Sequence, residues 1–184
     1  MSKYKTLLID LDDTIWDLCP TWLNFLNNKY NLDIKLEDVN QWDMKVLYPT
    51  LTENQIYEPL TFESFWNTVP VKEEAVLAIE ELNNFFDIYF ITATDYRNVR
   101  YKGEMIKKFF PFIPINKLII SHNKSMIQGD IIIDDNINNI QNRKLGILFT
   151  AAHNRNIHTP EYKNVCRFSD WKLLKKFLKT LIYC

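Results

Sequence analysis

The chain has 184 residues, 47% of them hydrophobic and 14% aromatic, with a formal net charge of -1. That is enough apolar material for one domain with a real core, so a disordered chain is excluded. The near-neutral balance gives no electrostatic footprint for a nucleic acid polymer or an anionic membrane.

The run Tyr4-Lys5-Thr6-Leu7-Leu8-Ile9 reads as a buried strand, too short for a helix and rich in branched residues. It ends in Asp10-Leu11-Asp12-Asp13-Thr14. Carboxylates are rarely buried without partners, so these acids belong at the carboxyl end of the strand, where open parallel sheets bind ligands. On an extended path Asp10 and Asp12 point the same way, and a divalent cation or a shared proton would relieve their repulsion. Trp16 to Tyr30 follows a helical stripe, with Pro20 early. Residues 31–65 are irregular and predict short helices and turns with no strand for the sheet; their aromatics either pack as core, line a pocket or form a homodimer interface.

Pro70 is expected to open a helix with Ala75, Ala78, Ile79 and Leu82 on one face. Asp87–Thr92 is a second buried strand, ending in Thr92, Ala93, Thr94 and Asp95. Arg100 to Phe110 predicts a helix ended by Pro111. Lys117–Ile120 is a short third strand followed by Ser121, His122, Asn123 and Lys124. Gly129–Asp134 is a fourth, ending in Asp134-Asp135, and Gly146–Thr150 a fifth. An amphipathic helix carrying Trp171, Leu174, Phe177, Leu178 and Leu181 closes the chain. The alternation of strands and helices makes the sheet parallel and covered on both faces. Glycine occurs only at 103, 129 and 146, which excludes a glycine-rich phosphate loop. Cys19, Cys166 and Cys184 show no paired spacing and fit a reducing cytosol. No signal peptide or membrane span is visible, so a cytoplasmic location is expected.

Four strand ends therefore carry Asp10/Asp12, Thr92, Lys124 and Asp134/Asp135. Together they suit phosphoryl transfer, which needs positioning and charge neutralisation more than covalent machinery. A lysine cancels phosphate charge, a threonine donates a hydrogen bond, carboxylates hold Mg2+, and one carboxylate can attack phosphorus while another handles the proton.

Asp10-Leu11-Asp12-Asp13-Thr14 resembles the DxDxT signature of the haloacid dehalogenase-like phosphohydrolases, and Thr92, Lys124 and Asp134-Asp135 match that superfamily's remaining motifs. The segments Lys124–Asp135 and Leu148–Asn154, with Trp171, are similar to one branch, the 5'(3')-deoxyribonucleotidases. The resemblance implies an α/β, Rossmann-like core (1–14 and 71–184) with a small helical cap (15–70) inserted after the first strand. It implies an Mg2+-dependent phosphatase of (deoxy)nucleoside monophosphates working through an aspartyl-phosphate. Asp10 would be nucleophile and Asp12 acid/base. Mg2+ would be held by Asp10, Asp12 (through its carbonyl), Asp134 and Asp135, with Asp135 favoured as the direct ligand of that pair. Thr92, the Ala93 backbone and Lys124 would hold phosphate, with Lys102 as a second cation. Leu18, Trp42 and His122 would line the substrate pocket. His153 and His158 read as loop residues without metal-ligand spacing.

Three departures from the family pattern stand out. Asp13 replaces a usual glycine, Ala93-Thr94-Asp95 follows Thr92 where Ser-Pro is common, and His122 stands where an arginine is common. Two other readings compete: a phosphatase for another small phosphomonoester, and a receiver-type phospho-Asp module. Chain order disfavours the receiver, which keeps its lysine last; here the acidic pair follows Lys124.

Overall fold

Five runs rich in apolar residues and a sixth, more polar edge segment align in parallel, and their order in the sheet places chemistry at one edge. In the computed structural model, which describes residues 4–141 and 143–183, the strands are β1 (Thr6–Asp10), β2 (Asp87–Thr92), β3 (Leu118–Ile120), β4 (Ile131–Asp134), β5 (Leu145–Phe149) and β6 (Val165–Phe168). Cys184 and the Met1–Lys3 start lie outside the described residues. The strand order is β3-β2-β1-β4-β5-β6, every pair parallel. This is the doubly wound α/β arrangement, with the direction of winding reversing beside β1. The β1 and β4 strands, whose ends carry the acids, are neighbours at that reversal; Leu7 lies opposite Ile131 and Ile9 opposite Ile133.

Both faces of the sheet are covered. Leu7, Ile9, Phe90, Ile131, Ile133 and Ile147 pack into the larger core, whereas Leu8, Ile91, Ile132 and Leu148 face a smaller one. The alternation along each strand is the pleat of a strand buried on both sides. Gly146 lets β5 approach the turn before it: a Cβ there would lie 2.5 Å from the Ile140 carbonyl oxygen.

Helix α1 (Leu18–Tyr30) is followed by α2 (Met44–Leu47), α3 (Glu53–Tyr57) and α4 (Glu63–Trp66). Among the described residues this stretch adds no strand to the sheet. It leaves and rejoins the core side by side: Asp17 N–H donates to Pro70 O and Lys72 N–H to Ile15 O, both at 2.9 Å. The expectation that Pro70 opens a helix is therefore corrected. Val71 bridges Trp16, Glu74 has φ of 58°, and α5 starts at Ala75 and runs to Leu82. Trp16 likewise precedes α1 rather than opening it. The remaining helices are α6 (Val99–Phe109), α7 (Ile137–Ile140) and α8 (Trp171–Thr180). Trp171 donates its indole N–H to Thr14 O at 3.0 Å, fastening α8 to the acidic loop. Among the described residues no helix is long and apolar enough to cross a membrane.

Candidate active site

Asp10 is the last residue of β1, and the chain leaves the sheet at Leu11. Thr14 and Ile15 N–H groups donate to Leu11 O at 3.3 and 2.9 Å, closing a tight turn. Asp13 has φ of 55°, a left-handed conformation that favours glycine and that aspartate tolerates better than most residues. Its carboxylate accepts the Cys19 N–H at 2.8 Å, at the start of α1. Asp13 thus caps α1 from a distance, satisfying one of the helix's free amide donors.

Lys124 sits at the start of a 3-10 turn (Lys124–Met126) and is buried. Its ammonium donates to Asp10 Oδ1 and to Asp134 Oδ2, the latter at 2.7 Å. The other oxygen of Asp134 accepts Asn136 N–H at 2.9 Å and Asn139 Nδ2 at 3.0 Å. Both Asp134 oxygens are thus occupied by donors. The Asp135 carboxylate has His153 Nε2 at 3.3 Å. A second cation, Lys102 on α6, is only 2% exposed. It donates to Asp12 Oδ2 and to Thr92 Oγ1, the latter at 2.9 Å. Asp12 also accepts Trp16 Nε1–H at 2.9 Å. Thr92 accepts from Lys102, so its own hydroxyl hydrogen remains available to another acceptor.

Burial dominates the electrostatics. It pushes the Asp10 carboxyl up to about 7, with Asp134 and Asp12 adding repulsion and Lys124 opposing. Burial first, then Asp10, Asp134 and Asp13, hold the Asp135 carboxyl well above the usual carboxylate range. The Lys124 ammonium is held above its ordinary value by Asp10 and Asp134 against a burial penalty. Excess negative charge confined in a low-dielectric pocket calls for a cation. Carboxylate oxygens of Asp10, Asp134 and Asp135 lie within 4.8 Å of one another. An all-oxygen set of this kind fits a hard ion such as Mg2+.

Asp10, Asp12, Ala93, His122, Lys124, Asp134 and Asp135 line one cavity of about 180 Å³, and Trp42 stands at its edge. Trp42, 60% exposed, also borders an adjoining crevice with Asp12, Asp13, Leu18, Val39, Gln41 and His153. Of the site residues read from the sequence, Asp10, Asp12, Trp42, Ala93, His122, Lys124, Asp134 and Asp135 share this cavity, Lys102 links Thr92 to Asp12, and Leu18 lies in the adjoining crevice. Sequence reasoning missed His153. Its Nε2 also lies 3.3 Å from the Asp135 carbonyl oxygen. Its 18-residue separation from Asp135 carries no local signal; only the pairing of β4 with β5 brings the two together.

A parallel sheet of this order with acids at the ends of β1 and β4 and two buried lysines has the haloacid dehalogenase-like fold. Solved structures share the fold. A haloacid dehalogenase-like family hydrolase from Xanthomonas campestris superposes with a TM-score of 0.60 at 11% identity, covering 100% of this chain and 98% of that one. A Bacillus subtilis hydrolase of the same type, whose structure is described as bound to magnesium, gives a TM-score of 0.58 at 17% identity over 95% and 98% of the two chains. The family model for 5' nucleotidase, deoxy (pyrimidine), cytosolic type C protein matches residues 4–179. The 5'(3')-deoxyribonucleotidase of Clostridium acetobutylicum is 35% identical over 182 residues, 98% of each chain. That of Bacillus subtilis is 34% identical over 155 residues, 83% of this chain and 88% of the other. The chain belongs to this deoxyribonucleotidase family and is a phosphoric monoester hydrolase.

Proposed function

We propose that the protein is an Mg2+-dependent 5'(3')-deoxyribonucleotidase that hydrolyses (deoxy)nucleoside monophosphates to nucleoside and phosphate through a phosphoryl group carried on Asp10. The observation that carries the reading is the convergence of Asp10, Asp12, Lys124, Asp134 and Asp135 on one cavity at the carboxyl edge of the sheet. Asp10, Asp135 and the Asp12 carbonyl would hold the metal. Asp134, with Lys124, Asn136 and Asn139 on its oxygens, is better suited to organising the site. When bound, the ion neutralises the carboxylates and the phosphate oxygens together.

The chain's own residues account for the chemistry. Lys124, Lys102, the Thr92 hydroxyl and the Ala93 N–H bind the phosphate oxygens and aim phosphorus at Asp10. An Asp10 carboxylate oxygen attacks phosphorus as the ester P–O bond breaks. The Asp12 carboxyl gives its proton to the leaving nucleoside oxygen. Water then attacks the phosphoryl group, Asp12 takes its proton, and the Asp10–phosphorus bond breaks to release phosphate. Trp16 and Lys102 fix Asp12 for both transfers.

Residues 15–70 act as a cap over this edge, with 1–14 and 71–184 as the core. Leu18, Trp22, Val39, Gln41 and Trp42 come from that segment and border the narrow crevice beside Asp12, so the segment supplies the wall nearest the leaving nucleoside. The family and the reducing-type cysteine pattern support a cytoplasmic site of action. A panel of monophosphates with Mg2+ and with EDTA tests the reading. Phosphate release is expected from dUMP and dTMP, lost in EDTA. Equal turnover of sugar phosphates would leave a phosphatase without nucleotide preference.

A further inference from the structure

Arg155 follows the 3-10 turn Ala152–Asn154, beyond the end of β5, and no step above uses it. Its guanidinium reaches out of the core to the segment between α1 and α2. Nη2 donates to Leu36 O at 3.1 Å, Glu37 O at 3.0 Å and Val39 O at 3.4 Å, while Nε donates to Ala152 O at 3.0 Å. The three cap carbonyls lie in and just after the 3-10 turn Leu36–Asp38. Leu36 O also accepts the Val39 N–H at 3.3 Å, and carbonyls at a helical end carry partial negative charge that favours a cation.

The inner end of this tether is rigid. Asn154 is fully buried and uses both ends of its amide. It donates to Asp135 O at 2.7 Å and Phe149 O at 2.8 Å, and accepts from Ala151 N–H at 3.1 Å and Arg167 Nη1 at 3.0 Å. The backbone that launches Arg155 is thereby fixed relative to the acid-bearing end of β4. The outer end leads directly to Val39, Gln41 and Trp42, which border the crevice beside Asp12.

We propose that Arg155 is a positioning residue for nucleoside recognition: it ties the 36–39 turn to the acidic end of the sheet and so sets how far the crevice wall stands from Asp10. The inference rests on the nucleotidase reading. Lysine carries its three donors on one atom at the end of a flexible stem, without the fixed fork that lets the guanidinium hold Ala152 O and the cap carbonyls together.

The test compares a ligand that needs the wall with one that does not. In Arg155→Ala, KM for dTMP is expected to rise about tenfold, with the competitive Ki of inorganic phosphate staying within about twofold. Arg155→Lys is expected to fall between. Arg155 is exposed, so the variants are expected to fold. A KM that does not rise, or a KM and a phosphate Ki that rise together, overturns the proposal. Absence of dTMP turnover by the unsubstituted enzyme removes the nucleotidase reading, and this inference with it.

Discussion

Asp13 is a conformational exception and a buried charge. Burial pushes its carboxyl up to about 7; the Cys19 N–H and Lys72 pull it down, and Asp12 and Asp17 push it up. A folded-state pKa above the unfolded value means that the native protein holds the extra proton. Stability therefore falls as pH rises from about 4 to about 7. Asn tolerates the left-handed backbone and keeps an acceptor for Cys19 N–H, but it carries no charge. Asp13→Asn is thus expected to raise the stability of the metal-free protein, by on the order of 2 kcal/mol at pH 8 and less at pH 5. Thermal melts at the two pH values check it, and an equal gain at both would speak against the buried-charge account. Lys102 makes a second residue-scale case. Lys102→Met leaves Asp12 with Trp16 alone, and kcat is expected to fall about 100-fold with the fold retained, as steady-state kinetics alongside circular dichroism would measure.

At the scale of elements, tight contacts hold the acid-bearing strand ends in place. Gly146 lies opposite Ile132 of β4, and the space for its Cβ is filled by the Ile140 backbone. Gly146→Ala must push α7 away from β5 and is expected to cost about 2 kcal/mol or more in denaturant unfolding. The elements also show which parts of the fold were legible in the sequence. Five strands were readable because each is a short apolar run closed by polar residues. β6 was not: Val165–Phe168 is half-buried at the sheet edge and carries Arg167, so neither alternation nor a continuous apolar run marks it. Arg167 is nevertheless integral, donating to Asn154 Oδ1, Asn154 O and Ile157 O. The start of α5 was misplaced because a proline can open a helix, but here Pro70 accepts Asp17 N–H on the return from the helical segment. In 31–66 the helices are only four or five residues long, too short for a 3.6-residue period to register.

For the whole molecule, the family and the parallel α/β core were legible because the motif residues fall in order at strand ends. Contacts between distant elements were not. The link of Lys102 to Asp12 spans 90 residues, and that of Arg155 to Leu36 spans 119. The same convergence predicts that a bound cation stabilises the fold. Asp10 and Asp13 hold protons in the metal-free native state up to near neutral pH, and burial raises the Asp135 carboxyl in the same direction. A cation must displace those protons at low pH but meets ready carboxylates at higher pH. Saturating Mg2+ is therefore expected to raise Tm more at pH 8 than at pH 5.5, and differential scanning calorimetry at both would show it.

On the proposed route the phosphoryl group passes through Asp10. Rapid acid quench of the enzyme turning over 32P-labelled dTMP, followed by peptide mapping, tests it directly. Labelled phosphate is expected on the peptide that contains Asp10, with neither label nor turnover in Asp10→Asn. Phosphate release by Asp10→Asn at the unsubstituted rate, or label on a different peptide, would contradict it.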